Sequence, residues 1–215
     1  MEIFLDSFDI SGIEKYADYL VGITTNPSIL SDCGTLADME KRLHEVAAKF
    51  PNLLINLQVT ASSAHEMVLE ARKIAAYGDN YRDNFIVKVP STFEGLKALK
   101  EIAKMGLKTN ATLCFSLAQA QMAEDFGATY ISPFLGRMQD AGENIEEFIY
   151  NMRNVVVGSK ILAASLRSPE HVGLAISAQC DAITISEQVF DSLFELPLLK
   201  TGQELFAKAN KLSYL

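Results

Sequence analysis

The chain has 215 residues, 49% of them hydrophobic, and a formal net charge of −8. That is enough apolar material for a sizeable core in one domain spanning residues 1–215. No lysine–arginine cluster breaks the acidic balance, which argues against nucleic acid and anionic membrane as partners, and no apolar run approaches the roughly 20 residues of a membrane span.

From the N-terminus onward, short apolar strands alternate with helical stretches. Strands are expected at Ile3–Asp6, Gly22–Asn26, Leu54–Thr60, Phe85–Pro90, Thr109–Leu113, Tyr130–Leu135, Lys160–Ser165 and Ala182–Ile185. Helices are expected between them at Ser63–Tyr77, Phe93–Met105, Leu117–Phe126, Glu143–Val157 and Pro169–Ala178. Strict alternation implies a parallel sheet covered by helices, and eight units fit a closed (β/α)8 barrel, compact beside the typical length of about 250 residues. An open doubly wound sheet is the alternative. Against it, no Gly-x-Gly-x-x-Gly follows the first strand and no Walker-type loop is present.

Punctuation agrees with these cuts. Ser168 precedes Pro169 as an N-cap before a proline at the first helical position. Ser91 and Thr92 offer capping hydroxyls after the fourth strand, while Gly106 and Gly127 stop two helices. A final helix, about 197–215, exceeds what a barrel needs. Its Leu205, Phe206 and Leu212 predict packing against something, such as a neighbouring subunit. The opening Met1–Asp6 reads as an acidic strand rather than a leader, and Cys33, Cys114 and Cys180 share no metal-type spacing. A reduced, cytoplasmic chain is therefore expected, with Cys114 and Cys180 packed as small hydrophobes. His44, His65 and His171 fall on the polar side of helical patterns and are expected at the surface, so a metal site is not indicated.

Lys88 is the residue that does not fit. It stands in the apolar run Phe85-Ile86-Val87-Lys88-Val89-Pro90, where a buried ammonium is costly. One response is a pKa lowered from about 10.4 towards neutrality, leaving an amine able to attack a carbonyl. The other is a strand-end lysine that snorkels to water or pairs with a carboxylate.

Polar residues near the ends of the other strands weigh on that choice, because barrel chemistry sits where strands end and residues two apart share a face. The first strand ends in Asp6 and the second in Thr24 and Asn26. The third carries Asn56, Gln58 and Thr60, the fifth Asn110 and Thr112, the sixth Ser132 and Phe134, and the seventh Ser165. Each has a structural reading, such as Asn26 in a turn before Pro27. Together they form a ring of donors and acceptors suited to a polyhydroxylated substrate. Arg137 and Arg167 follow the sixth and seventh strands, beside Ser165 and the start of the Ser168-Pro169 helix, and suggest a phosphate cradle.

The stretches IFLDS, GITTNPSIL, FIVKVPSTFEGLKALK, KTNATLCFSLAQA, YISPFLGRMQDAG and KILAASLRSPEHV resemble the transaldolase family, in its short-chain branch that also contains fructose-6-phosphate aldolase. The resemblance implies a (β/α)8 barrel that uses a lysine Schiff base, with no cofactor or metal, on sugar phosphates. It makes Lys88 the nucleophile and Asp6 the proton acceptor as the carbon–carbon bond breaks. It gives Asn26, Asn110 and Ser132 to substrate hydroxyls, Thr112 to a catalytic water, and Arg137, Ser165 and Arg167 to the phosphate. Short members are often decamers, so a homo-oligomer is expected, although the final helix lacks the tryptophan often found in relatives.

Two positions depart from a single pattern. Gln58 stands where transaldolases usually carry glutamate and fructose-6-phosphate aldolase carries glutamine; Phe134 stands where that aldolase carries tyrosine. Asn110, Phe134 and Arg167 lean towards transaldolase, and Gln58 leans the other way. Transaldolase is the first expectation, an aldolase releasing dihydroxyacetone the second, and a sugar-phosphate-binding protein with weakened catalysis the third.

Overall fold

The computed structural model describes residues 1–77 and 84–209. Its elements run β1 (Glu2–Asp6), α1 (Ile10–Tyr16), β2 (Gly22–Thr24), α2 (Pro27–Ser31), α3 (Leu36–Lys49), β3 (Leu54–Gln58), α4 (Ala64–Ala76) and β4 (Phe85–Pro90). They continue with α5 (Phe93–Lys104), β5 (Lys108–Cys114), α6 (Leu117–Asp125), β6 (Tyr130–Pro133), α7 (Leu135–Asp140) and α8 (Ile145–Val155). The last are β7 (Lys160–Ala163), α9 (Pro169–Ser177), β8 (Ala182–Ile185), α10 (Glu187–Ser192) and α11 (Pro197–Ala209). The end of the expected final helix, 210–215, lies outside the described residues. Among the described residues no helix is long and apolar enough to cross a membrane.

All eight strands are parallel and the sheet closes, because β1 pairs with β8 over Glu2–Leu5 and Ala182–Ile185. Closure decides against the open sheet. The helices enclose the barrel through a large apolar layer in which Leu5, Ile23, Ile55, Val87, Ile131 and Ile183, on the outward parity of their strands, meet helix residues such as Leu99 of α5.

The inward parity changes character along each strand. At the N-terminal end Phe4, Ile86, Tyr130, Leu162 and Ala182 form a second buried cluster, with Phe4 edge-on to Tyr130 at 5.7 Å. Below it, Glu2 accepts a hydrogen bond from the Tyr130 hydroxyl at 2.8 Å and pairs with Lys160. Two residues further along the chain in each case stand Asp6, Lys88, Ser132 and Thr184 on the strands and Ala164 just past β7, bridged to Phe134. An apolar floor therefore carries a polar layer at the C-terminal mouth.

Local chemistry sets the boundaries. Thr92 caps α5 by accepting from the Gly95 amide, and Ser168 caps α9 by accepting from the His171 amide, with Pro169 in the first turn. Gly106 and Gly127 end α5 and α6 with φ of 78° and 84°, the left-handed region that suits glycine. Cys114 and Cys180 are buried, their thiols pushed up to about 12 by burial.

Two expectations are corrected. Leu135, expected as the last residue of the sixth strand, is instead the first of α7. His171 is only 7% exposed, whereas His44 and His65 are exposed. His171 shares its helical face with Val172 and Ala175, which pack inward. Its ring is accommodated because both nitrogens are bonded: Nδ1 accepts from the Arg167 amide at 3.2 Å, and Nε2 lies 2.9 Å from Gln139 Oε1.

Candidate active site

Lys88 is 5% exposed and belongs to the polar layer. Its Nζ donates to the Thr25 carbonyl oxygen at 2.6 Å. Burial lowers its pKa to about 8, against an opposing pull from the Asp6 carboxylate. At pH 7 that leaves about one amine in ten unprotonated, where an ordinary lysine has fewer than one in a thousand.

The surrounding hydrogen bonds are chained. Asp6 Oδ1 accepts from Thr24 Oγ1 at 2.7 Å, and Thr24 Oγ1 is 2.6 Å from Thr184 Oγ1. On the other side Ser132 Oγ donates to Asn110 Oδ1 at 2.7 Å, Asn110 Nδ2 to Asn56 Oδ1 at 3.0 Å, and Asn56 Nδ2 to the Ile23 carbonyl at 3.1 Å. Such networks fix side-chain orientation. Thr112 Oγ1 stands outside them: it is fully buried and has no hydrogen-bond partner among the described residues. A buried hydroxyl left unmatched costs about 1–3 kcal/mol, so its retention asks for a visiting partner.

A pocket of about 120 Å³ opens at this mouth. Ten of the residues singled out from the sequence line it: Asp6, Thr24, Asn26, Lys88, Asn110, Thr112, Ser132, Phe134, Arg137 and Ser165. Thr184 completes the polar wall, and Leu162 and Ala164 supply an apolar side. Sequence reasoning passed over Thr184; its inward parity with Ala182 on the last strand was the available signal. Asn26 also caps α2 through the Ile29 amide at 3.0 Å, so its turn role and its place in the wall coexist. Larger grooves lie elsewhere, one of about 480 Å³ between α4 and α5 beside Val68, Arg72, Lys97 and Met105. Convergence of polar groups on a buried amine, rather than volume, marks the candidate site.

Four residues from the sequence set, Asn56, Gln58, Thr60 and Arg167, do not line the pocket; Asn56 stands behind its wall in the hydrogen-bond chain. Gln58 is the register partner of Lys88, on a line that runs Gln58, Lys88, Asn110, Tyr130, Lys160 around the barrel. Since Lys160 meets Glu2 at the floor, that line climbs through the shear of the barrel, and Gln58 is its upper end at the rim. There it borders a separate groove with Leu36, Glu70 and Tyr77. Arg167 extends along α7 instead, pairing with Asp140 through Nη1 and Nη2 at 2.6 Å each. That guanidinium holds the Asp140 carboxyl below its ordinary range.

The phosphate-side wall is made by α7 and the β7–α9 loop joined together. The Leu135 and Gly136 amides donate to the Ala164 and Ser165 carbonyls at 3.0 Å each. A Cβ on Gly136 would lie 2.2 Å from the Ser165 oxygen, so glycine is what permits this approach. Ser165 itself has φ of 58°, a strained backbone at the pocket wall. Arg137 rests over the Phe134 ring at 5.3 Å, and Phe115 meets the same ring edge-on at 6.1 Å.

A closed parallel barrel with a polar, lysine-centred pocket at its C-terminal mouth has the layout of a barrel enzyme. The comparisons give the family. The model of the family described as Transaldolase/Fructose-6-phosphate aldolase matches residues 3–214, and this chain belongs to that family. A "Probable transaldolase" of Lactiplantibacillus plantarum is 38% identical over 213 residues, covering 96% of this chain and 95% of that protein. One of the same name from Phenylobacterium zucineum is 38% identical over 215 residues, covering 96% and 94%. A solved structure titled "Native KDPGal structure" superposes with a TM-score of 0.60 at 12% identity, over 86% of this chain and 81% of that one, a likeness of fold.

Proposed function

We propose that this protein is a Schiff-base transaldolase, moving a dihydroxyacetone unit from a ketose phosphate such as fructose 6-phosphate or sedoheptulose 7-phosphate to an aldose phosphate. The observation that carries the reading is a buried amine, with its pKa lowered to about 8, in a pocket that also holds Asp6 and the unpartnered Thr112 hydroxyl. The neutral Lys88 amine attacks the ketose carbonyl, and loss of water from the adduct gives an iminium. Proton movement in that step is assigned to a water held by Thr112 Oγ1, the partner its burial asks for. Asp6 accepts the proton of the substrate hydroxyl as the carbon–carbon bond breaks. The bonding pair passes into the iminium to give an enamine, and the first aldehyde phosphate leaves. The enamine then attacks the second aldehyde, Asp6 returns the proton to the new hydroxyl, and water frees Lys88.

Asn26, Asn110 and Ser132 are assigned to substrate hydroxyls, and Arg137, Ser165 and Arg167 to the phosphate. A second reading, fructose-6-phosphate aldolase, is favoured by Gln58, which cannot titrate. In that reading the enamine is protonated and dihydroxyacetone is released. A homo-oligomer is part of the proposal, supported by the exposed apolar side chains of α11, as is the cytoplasmic location expected from the sequence. The test is product analysis with fructose 6-phosphate, with and without erythrose 4-phosphate. Glyceraldehyde 3-phosphate and sedoheptulose 7-phosphate formed only with the acceptor support transaldolase. Free dihydroxyacetone without an acceptor supports the aldolase, and no carbon–carbon cleavage overturns both.

A further inference from the structure

Arg167 sits beside the pocket and does not enter it. Its guanidinium lies across the first turn of α7, with Nε 2.8 Å from where a Cβ on Gly136 would be, and ends in a two-point pair with Asp140. Arg137, one turn earlier on α7, does line the pocket. The absence of a side chain at position 136 gives Arg167 this path, and Asp140 holds it there. Asp140 closes the C-terminal end of its helix, where a negative charge does nothing for the helix itself. Its partner there is the arginine.

We propose that Asp140 is a specificity-determining residue: its carboxylate holds Arg167 out of the pocket until a substrate phosphate takes the guanidinium in its place. This rests on the reading above, in which Arg167 meets the phosphate. A phosphate dianion and a carboxylate both match the guanidinium fork, and the phosphate carries more charge. The two side chains are 50% and 58% exposed, and exposed pairs of this kind hold by a factor of about five at most. The latch is therefore weak enough to be displaced. A transferase that releases one phosphorylated aldehyde and binds another in the same subsite is served by a cradle that lets go. Asp140 provides that by taking the arginine back. An unphosphorylated sugar has nothing to offer Arg167 and leaves the latch closed.

The test is calorimetric titration of inorganic phosphate into the full-length protein, its Asp140→Asn and Arg167→Ala variants and the double variant. It is paired with KM values for erythrose 4-phosphate and for unphosphorylated erythrose. Asp140→Asn is expected to tighten phosphate and lower the KM for erythrose 4-phosphate by about two- to five-fold, with the KM for erythrose unchanged. In the Arg167→Ala background the same substitution is expected to do nothing. Weaker phosphate binding in Asp140→Asn would overturn the proposal by making Asp140 a support that positions Arg167. Equal tightening without Arg167 would overturn it by reducing the effect to charge repulsion, and no change in either variant would also overturn it. Phosphate binding is read without turnover, so its failure is distinguishable from failure of the Lys88 chemistry.

Discussion

Lys88 and Thr112 have in common that each is uncomfortable in the folded chain without substrate. For Lys88 the discomfort is desolvation, which lowers its pKa to about 8. The sign sets the pH dependence: the amine is the reactive form, so kcat/KM should rise about tenfold per pH unit below pH 8 and level off above it. A pH–rate profile that continues to climb towards pH 10.5 would mean that the nucleophile has an ordinary lysine pKa. Thr112 is tested by Thr112→Val, which removes the unpartnered hydroxyl and keeps the shape. It is expected to raise the unfolding free energy by about 1 kcal/mol while lowering kcat by about 100-fold, measured by denaturation and by steady-state assay. A stability loss with unchanged kcat would return Thr112 to ordinary packing.

At the scale of elements, legibility followed capping and parity. The helices α5 and α9 begin with a capping hydroxyl that bonds an amide in the first turn, and both could be placed from the sequence. Helix α7 follows Phe134, an N-cap position without a side-chain hydrogen bond, so nothing local marked its start, and its first residue, Leu135, read as strand. His171 was misplaced for a related reason: a polar residue on a buried helical face looks exposed until its partners, Gln139 and the Arg167 amide, are known. The period-2 rule brought most of the candidate site together, because parity survives closure of the barrel. It could not show that shear lifts Gln58 to the rim, or that Asp140 draws Arg167 aside. The contact between α7 and the β7–α9 loop gives a prediction of its own. Gly136→Ala should cost about 1–3 kcal/mol in unfolding experiments, because its Cβ would press on the Ser165 carbonyl. A variant as stable as the parent would show that the two segments are not fixed to one another.

The whole molecule divides its labour along the barrel axis, with an apolar cluster and the Glu2–Lys160 pair at the floor and the polar pocket at the mouth. Outside the barrel, α11 leaves Leu198 86% and Phe206 78% exposed, with Leu205 beside them. An apolar stripe of this kind on a charged surface fits an interface between copies. Sedimentation of the protein should give an oligomer, and Leu205→Glu with Phe206→Glu should shift it towards the monomer with the barrel intact by circular dichroism. A monomer before substitution would leave α11 without that role.

The central claim is that Lys88 forms a covalent bond to substrate, and borohydride reduction in the presence of fructose 6-phosphate tests it most directly. The account predicts one three-carbon adduct, located by mass spectrometry on the peptide that carries Lys88 and absent from Lys88→Met. No adduct, or one at another lysine, would contradict it.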